Sequence, residues 1–167
     1  MGGRCGLMLD STLVGTVATY RMPRPDDLPL LMEMVERFHA ETRTGLSPGR
    51  EQVAATLREL NAHRRTGSWF VFEMNEEVVG YCILANRWSN GLGGTVLHVD
   101  ELYVRPGRRG RGVASNFLDL IAKVAPDGVA EIRVEVPAAN PKARGLYARL
   151  GYVESKPRLM HRSLRGA

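Results

Sequence analysis

Apolar residues recur along this chain in two kinds of repeat, and the switch from one to the other marks its elements. Val14 to Arg21 reads as a first strand. After Pro25, the positions Leu28, Leu31, Met32, Val35 and Phe38 return at helical spacing, with Asp26 or Asp27 placed to cap the helix and Gly45 beyond its end. Residues 44–50 read as a loop, and a second helix runs from about Glu51 through Val53, Leu57 and Leu60. Trp69 to Met74 and Val78 to Ala85 are rich in β-formers and are separated by Asn75, Glu76 and Glu77, a pattern that predicts a hairpin. Asn90 to Gly94 makes the next turn. A β-branched run from about Thr95 to Val104 predicts a further strand, stopped by Pro106, Gly107 and Gly110. A helix follows from about Gly112 to Val124, and then a strand from Glu131 to Val136. Asn140 followed by Pro141 is a helix start: a capping side chain, then a residue whose missing N–H is not needed at the first helical position. Gly151 closes that helix, and Tyr152 to Leu164 has room for two closing strands.

With no repeat or linker, the 167 residues read as one domain over 14–167 behind an N-terminal tail of residues 1–13. No stretch approaches the roughly 20 apolar residues of a membrane span, which argues against a membrane partner. Cys5 and Cys82 lack a Cys or His neighbour at metal-ligand spacing, so a cytoplasmic protein without disulfide or bound metal is expected. The net charge of +5 invites a nucleic-acid partner. Against it, the Lys+Arg total of 23 contains only three lysines, and the arginines are scattered except for Arg105, Arg108, Arg109 and Arg111.

That group lies in Glu101 to Ala114, where a strand ends, glycines expose the backbone and a helix begins. N–H groups at a helix start converge on an anion and the helix dipole favours negative charge there, so the turn suits a pyrophosphate. It is not a P-loop, because Val113 and Ala114 follow Gly112 where Lys and Ser or Thr are required. It meets the dinucleotide fingerprint only in part.

Arg109-Gly110-Arg111-Gly112-Val113-Ala114 resembles the acyl-CoA-binding motif of the GNAT superfamily of N-acetyltransferases: Gln or Arg, two residues, Gly, one residue, Gly or Ala. The resemblance extends to the acidic start of the first helix at Asp26 and Asp27, to EVVGY, to DELYVRP and to NPKARGLYARLGY from Asn140 to Tyr152. It implies an α/β fold with a mixed, mostly antiparallel sheet of six or seven strands flanked by about four helices and splayed between the fourth and fifth strands. It implies acetyl-CoA as co-substrate, its pyrophosphate on the backbone amides of Arg109 to Ala114. The pantetheine arm would lie along Leu102, Tyr103 and Val104, with the Val104 N–H polarising the thioester carbonyl. The helix from Asn140 would bring Ala143 and Tyr147 to the cofactor on one stripe, with Tyr147 protonating the departing thiolate. Asn140 is either a cofactor contact or simply the helix cap.

An amine must lose a proton before it attacks, so a base is required. Alternation from Val104 puts Leu102, Asp100 and His98 on its face and Glu101 on the other, which favours Asp100 and His98 over Glu101. The implied reaction is direct acetyl transfer to a primary amine of a small molecule, such as a polyamine-like amine, an amino acid or an aminoglycoside. A homodimer is the implied assembly. The acceptor pocket is expected from residues 42–50, from Trp88 to Gly94 and from the C-terminal segment. A protein or peptide acceptor, or a non-catalytic CoA- or nucleic-acid-binding module, is the alternative.

Overall fold

In the computed structural model, residues 12–42 and 45–155 are described. Among these residues six strands form one sheet in chain order, with every neighbouring pair antiparallel except the last. They are β1 (Leu13–Val14), β2 (Thr19–Arg21), β3 (Gly67–Met74), β4 (Glu77–Ser89), β5 (Gly94–Val104) and β6 (Val129–Val134). Four helices accompany them: α1 (Leu28–Thr42), α2 (Arg50–Ala62), α3 (Val113–Val124) and α4 (Pro141–Arg149). A parallel pair needs a crossover, and α3 supplies it between β5 and β6.

The period-two pattern of β3 sorts its side chains cleanly. Trp69 and Val71 join Leu31, Met34, Val35, Val53, Leu57 and Leu60 under α1 and α2. Phe70 and Phe72 join Tyr20, Phe117, Leu118 and Ile121 under α3 on the other face. Both faces are thus covered, which is why β3 and the start of β4 read as nearly continuous apolar runs. The hairpin between them turns on Asn75 and Glu76, both at positive φ (50° and 64°), as a two-residue loop with primed geometry requires.

Three expectations need correction. Val14 to Arg21 is two short strands around a turn, not one strand, because the Gly15 N–H donates to the Ala18 carbonyl (3.0 Å) and reverses the chain. The predicted gap between the fourth and fifth strands is therefore the one between β5 and β6. The strand expected over Glu131 to Val136 instead spans Val129–Val134. Residues 152–155 form no strand, and the remainder of the expected closing pair lies outside the described residues.

Candidate active site

Strand β5 carries the centre of the site. Along one edge it pairs with β4 throughout, but along the other β6 accompanies it only from Thr95 to Val99. From Asp100 to Val104 that edge has no strand partner among the described residues, so the sheet opens there into a gap. The register against β4 also slips at this point: Ile83 faces Glu101 and Leu84 faces Val99, leaving Asp100 as an extra residue. Such a bulge re-aims everything beyond it. Val99 and Leu102 accordingly pack on the α3 face although three residues apart, while Tyr103 packs beneath α1.

The alternation counted from Val104 therefore fails. Leu102 does share the face of Val104, but Asp100 sits exposed on the bulge, and His98, between buried Leu97 and Val99, belongs to the opposite face with Glu101.

Beyond Val104 the chain makes a 3-10 turn (Pro106–Arg108) and then passes Gly110 (φ 75°) and Gly112 (φ 80°) before α3 begins. Left-handed backbone at these two positions favours glycine. Gly112 is the N-cap of α3, and no side chain caps the helix. The N–H groups of Val113, Ala114 and Ser115 thus face outward without helical acceptors, which fits an anionic ligand. This turn, the open edge of β5 and Ala143 on α4 are the features that would hold CoA. Arg111 forms no ion pair with a described residue. Its neighbours are engaged: Arg105 and Arg108 with Glu77, Arg105 also with Glu33, and Arg109 with Glu41 at 2.7 Å. The Arg109 Nε also donates to the Val104 carbonyl at 2.7 Å, and its guanidinium lies 5.3 Å from the Tyr103 ring centre.

On the α3 side of the gap, α4 starts as its sequence dictates, with Asn140 Oδ1 accepting from the Ala143 N–H at 3.0 Å. Two turns on, Tyr147 is buried against Tyr152, the ring centres 5.3 Å apart. Its hydroxyl has no hydrogen-bond partner among the described residues, and burial, with smaller contributions from Cys82 and Tyr152, holds its pKa above the ordinary phenol value.

On the α1 face stands Glu101. Its Oε2 accepts from the Tyr81 hydroxyl at 2.7 Å, and its Oε1 lies 3.1 Å from His39 Nε2. Burial raises its pKa above the usual carboxylate range and Asp100 adds to the rise, while Tyr81 and His39 oppose it. A cavity of about 50 Å³ opens beside this carboxylate, lined by Val35 of α1, Pro48, Gln52, Val53 and Thr56 of the α2 region, and Trp69 and Ile83 of the sheet. Among the described residues no group of side chains could hold a metal ion, and no helix is long and apolar enough to cross a membrane.

His39 and Tyr81 escaped the sequence reading. The signal for His39 is its place one turn beyond Val35 on the apolar stripe of α1, where a polar side chain needs a buried partner.

The fold as a whole is shared with solved structures of proteins described as acetyltransferases. A possible acetyltransferase from Clostridium difficile 630 superposes with a TM-score of 0.76 at 20% identity, covering 90% of this chain and 99% of its own. An aminoglycoside N-acetyltransferase solved with CoA gives 0.69 at 16% identity, covering 92% and 100%. The acetyltransferase (GNAT) family profile matches residues 31–152, and the chain belongs to that family. Thialysine N-epsilon-acetyltransferase from Bos taurus is 35% identical over 75 residues, covering 44% of each chain. The chain thus matches less than half the length of this curated relative.

Proposed function

We propose that the protein transfers the acetyl group of acetyl-CoA directly to a primary amine of a small molecule. The observation that carries this reading is the stretch of β5 beyond Val99, whose free backbone edge runs into the uncapped start of α3. Peptide-like pantetheine matches a free strand edge, and a pyrophosphate matches the turn over Arg109 to Ala114. The Val104 N–H polarises the thioester carbonyl as charge builds on its oxygen. Tyr147 approaches from the α3 face and gives its proton to the departing thiolate, a role compatible with a phenol kept protonated by burial. Glu101 approaches from the α1 face and takes the ammonium proton. It is preferred to Asp100 and His98 because it borders the cavity and because burial brings its pKa closer to that of a working base.

The likeness to a thialysine acetyltransferase supports an amino-acid-like or polyamine-like acceptor. The reading includes a homodimer, supported by Trp88 and Leu92 exposed on the β4–β5 hairpin. It places the protein in the cytoplasm, supported by the buried free thiol of Cys82 and the need for acetyl-CoA. The test is a panel of amines, amino acids, aminoglycosides and peptides with acetyl-CoA, following thiol release. At least one small primary amine is expected to turn over. CoA binding without any acceptor would reduce the protein to a binding module.

A further inference from the structure

Glu101 is long enough to adopt many rotamers, yet both of its oxygens are held. His39 and Glu101 retain only 7% and 14% side-chain exposure, and Tyr81 is fully buried. One carboxylate oxygen takes the Tyr81 hydroxyl at 2.7 Å and the other meets His39 Nε2 at 3.1 Å. Each oxygen keeps a second lone pair for an incoming ammonium. The clamp is itself braced, because the Phe38 ring packs edge-on against His39 (5.2 Å) and Tyr81 (6.5 Å), and α1 is anchored by Leu31, Met34 and Val35. The groups that bear on Glu101 are His39 from α1, Tyr81 and Cys82 from β4, and Asp100 beside it on β5. His39 alone among them reaches it from a helix outside the sheet.

We propose that His39 is a positioning residue for the transfer, fixing the Glu101 carboxylate from helix α1 in the orientation that accepts the ammonium proton; the role rests on Glu101 being the base. It adds to that assignment an element the sheet does not contain, so that the geometry of proton removal depends on the packing of α1. A side chain that orients a base without touching substrate should change turnover and its pH dependence and leave cofactor binding alone.

The experiment uses the full chain, acetyl-CoA and the best amine of the panel, comparing wild type with Glu101→Gln, His39→Leu, His39→Gln and the Glu101→Gln/His39→Leu double variant. Rate constants for both substrates, pH profiles of kcat/KM, CoA affinity and melting temperature are measured. His39→Leu is expected to lower kcat roughly tenfold with unchanged CoA affinity, the order of effect of contacting residues in one hydrogen-bonded unit. Its acidic limb should move to higher pH, because a carboxylate that loses a donor holds its proton more tightly. His39→Gln, which offers an amide N–H in place of the ring donor, should recover most of the rate. The double variant should be no slower than Glu101→Gln. If His39→Leu does not fold, His39→Met fills similar volume with an adaptable chain and gives the same readout. A lost limb in Glu101→Gln beside an unmoved limb in folded His39→Leu, or an additive loss in the double variant, overturns the role of His39 alone. A wild-type profile in Glu101→Gln overturns the base assignment, and the positioning role with it.

Discussion

The Tyr147 hydroxyl meets no acceptor among the described residues although its ring is buried beneath α4. The oxygen itself is not among the buried unpaired polar atoms, so water can satisfy it; the fold gains nothing from it, and the proposed transfer chemistry gives it a use. Tyr147→Phe should therefore melt no lower than wild type while turnover falls roughly 10²-fold, the range of a lost general acid. Normal turnover with a lower melting temperature would mark the tyrosine as structural. Glu101 presents the same conflict in its titration. Its folded pKa lies above the ordinary value, so its contribution to stability is complete below the unfolded pKa and is lost as pH rises through the folded one. Glu101→Gln removes that loss. The variant should melt above wild type at pH 8 and converge with it below about pH 4, under the usual glutamate pKa, even as its acetylation rate collapses. Equal melting temperatures at pH 8 would count against a strained carboxylate. The residues that sequence reading found were those with local signatures, Gly112 and Asn140 above all. His39, Glu101 and Tyr81 come together from α1, β5 and β4, and no local window contains that meeting.

At the scale of elements, helix starts were the most legible features, because a cap is written in adjacent residues. Asn140 and Pro141 place α4 where they were expected to, and Gly112 begins α3. Strand faces were less legible. Alternation assumes an unbroken pleat, and the extra residue at Asp100 breaks it, moving His98 to the face opposite the one expected while Glu101 keeps its own. The break between β1 and β2 was hidden for a similar reason. The Tyr20 hydroxyl donates to the Val113 carbonyl at 2.8 Å, and Asn116 Nδ2 donates to Thr16 Oγ1 at 3.2 Å, so this turn answers to a helix almost a hundred residues away. The cap of α4 links element to chemistry, since Tyr147 stands two turns beyond Asn140 on the same short helix. Asn140→Ala should cost about 1 kcal/mol, the usual worth of such a cap, and lower the melting temperature by about 2–4 °C for a protein of this size. Turnover should fall with CoA affinity nearly kept. If CoA affinity falls as steeply as turnover, Asn140 touches the cofactor as well as capping the helix.

Over the whole molecule, charge and the proposed cofactor site converge on the junction of β5 and α3. The excess of 23 basic over 18 acidic residues suggested polyanion binding, but Arg105, Arg108 and Arg109 are tied to Glu33, Glu41 and Glu77, which join the junction to α1 and to the β3–β4 hairpin. Under the proposed function, recognition of phosphate would thereby be left to backbone N–H groups and Arg111, a geometry suited to one compact pyrophosphate more than to a long polyanion. CoA held there would bridge β5 and the starts of α3 and α4, so it should bind the folded chain alone. At free CoA one hundred times Kd, the stabilisation is about 2.7 kcal/mol, which corresponds to a rise of about 5–11 °C in melting temperature for a chain of this length. Gly112→Val tests whether the glycine turn is where this energy enters. A β-branched residue at φ 80° is strained by roughly 1–2 kcal/mol and will lower the unliganded melting temperature, so the comparison is of the CoA-induced shift and not of the absolute value. Gly112→Ala separates strain from blockage, because its Cβ would meet nothing closer than a Val17 methyl at 3.8 Å. The alanine variant should keep part of the shift and the valine variant none. A full shift in Gly112→Val would move the cofactor site away from this turn.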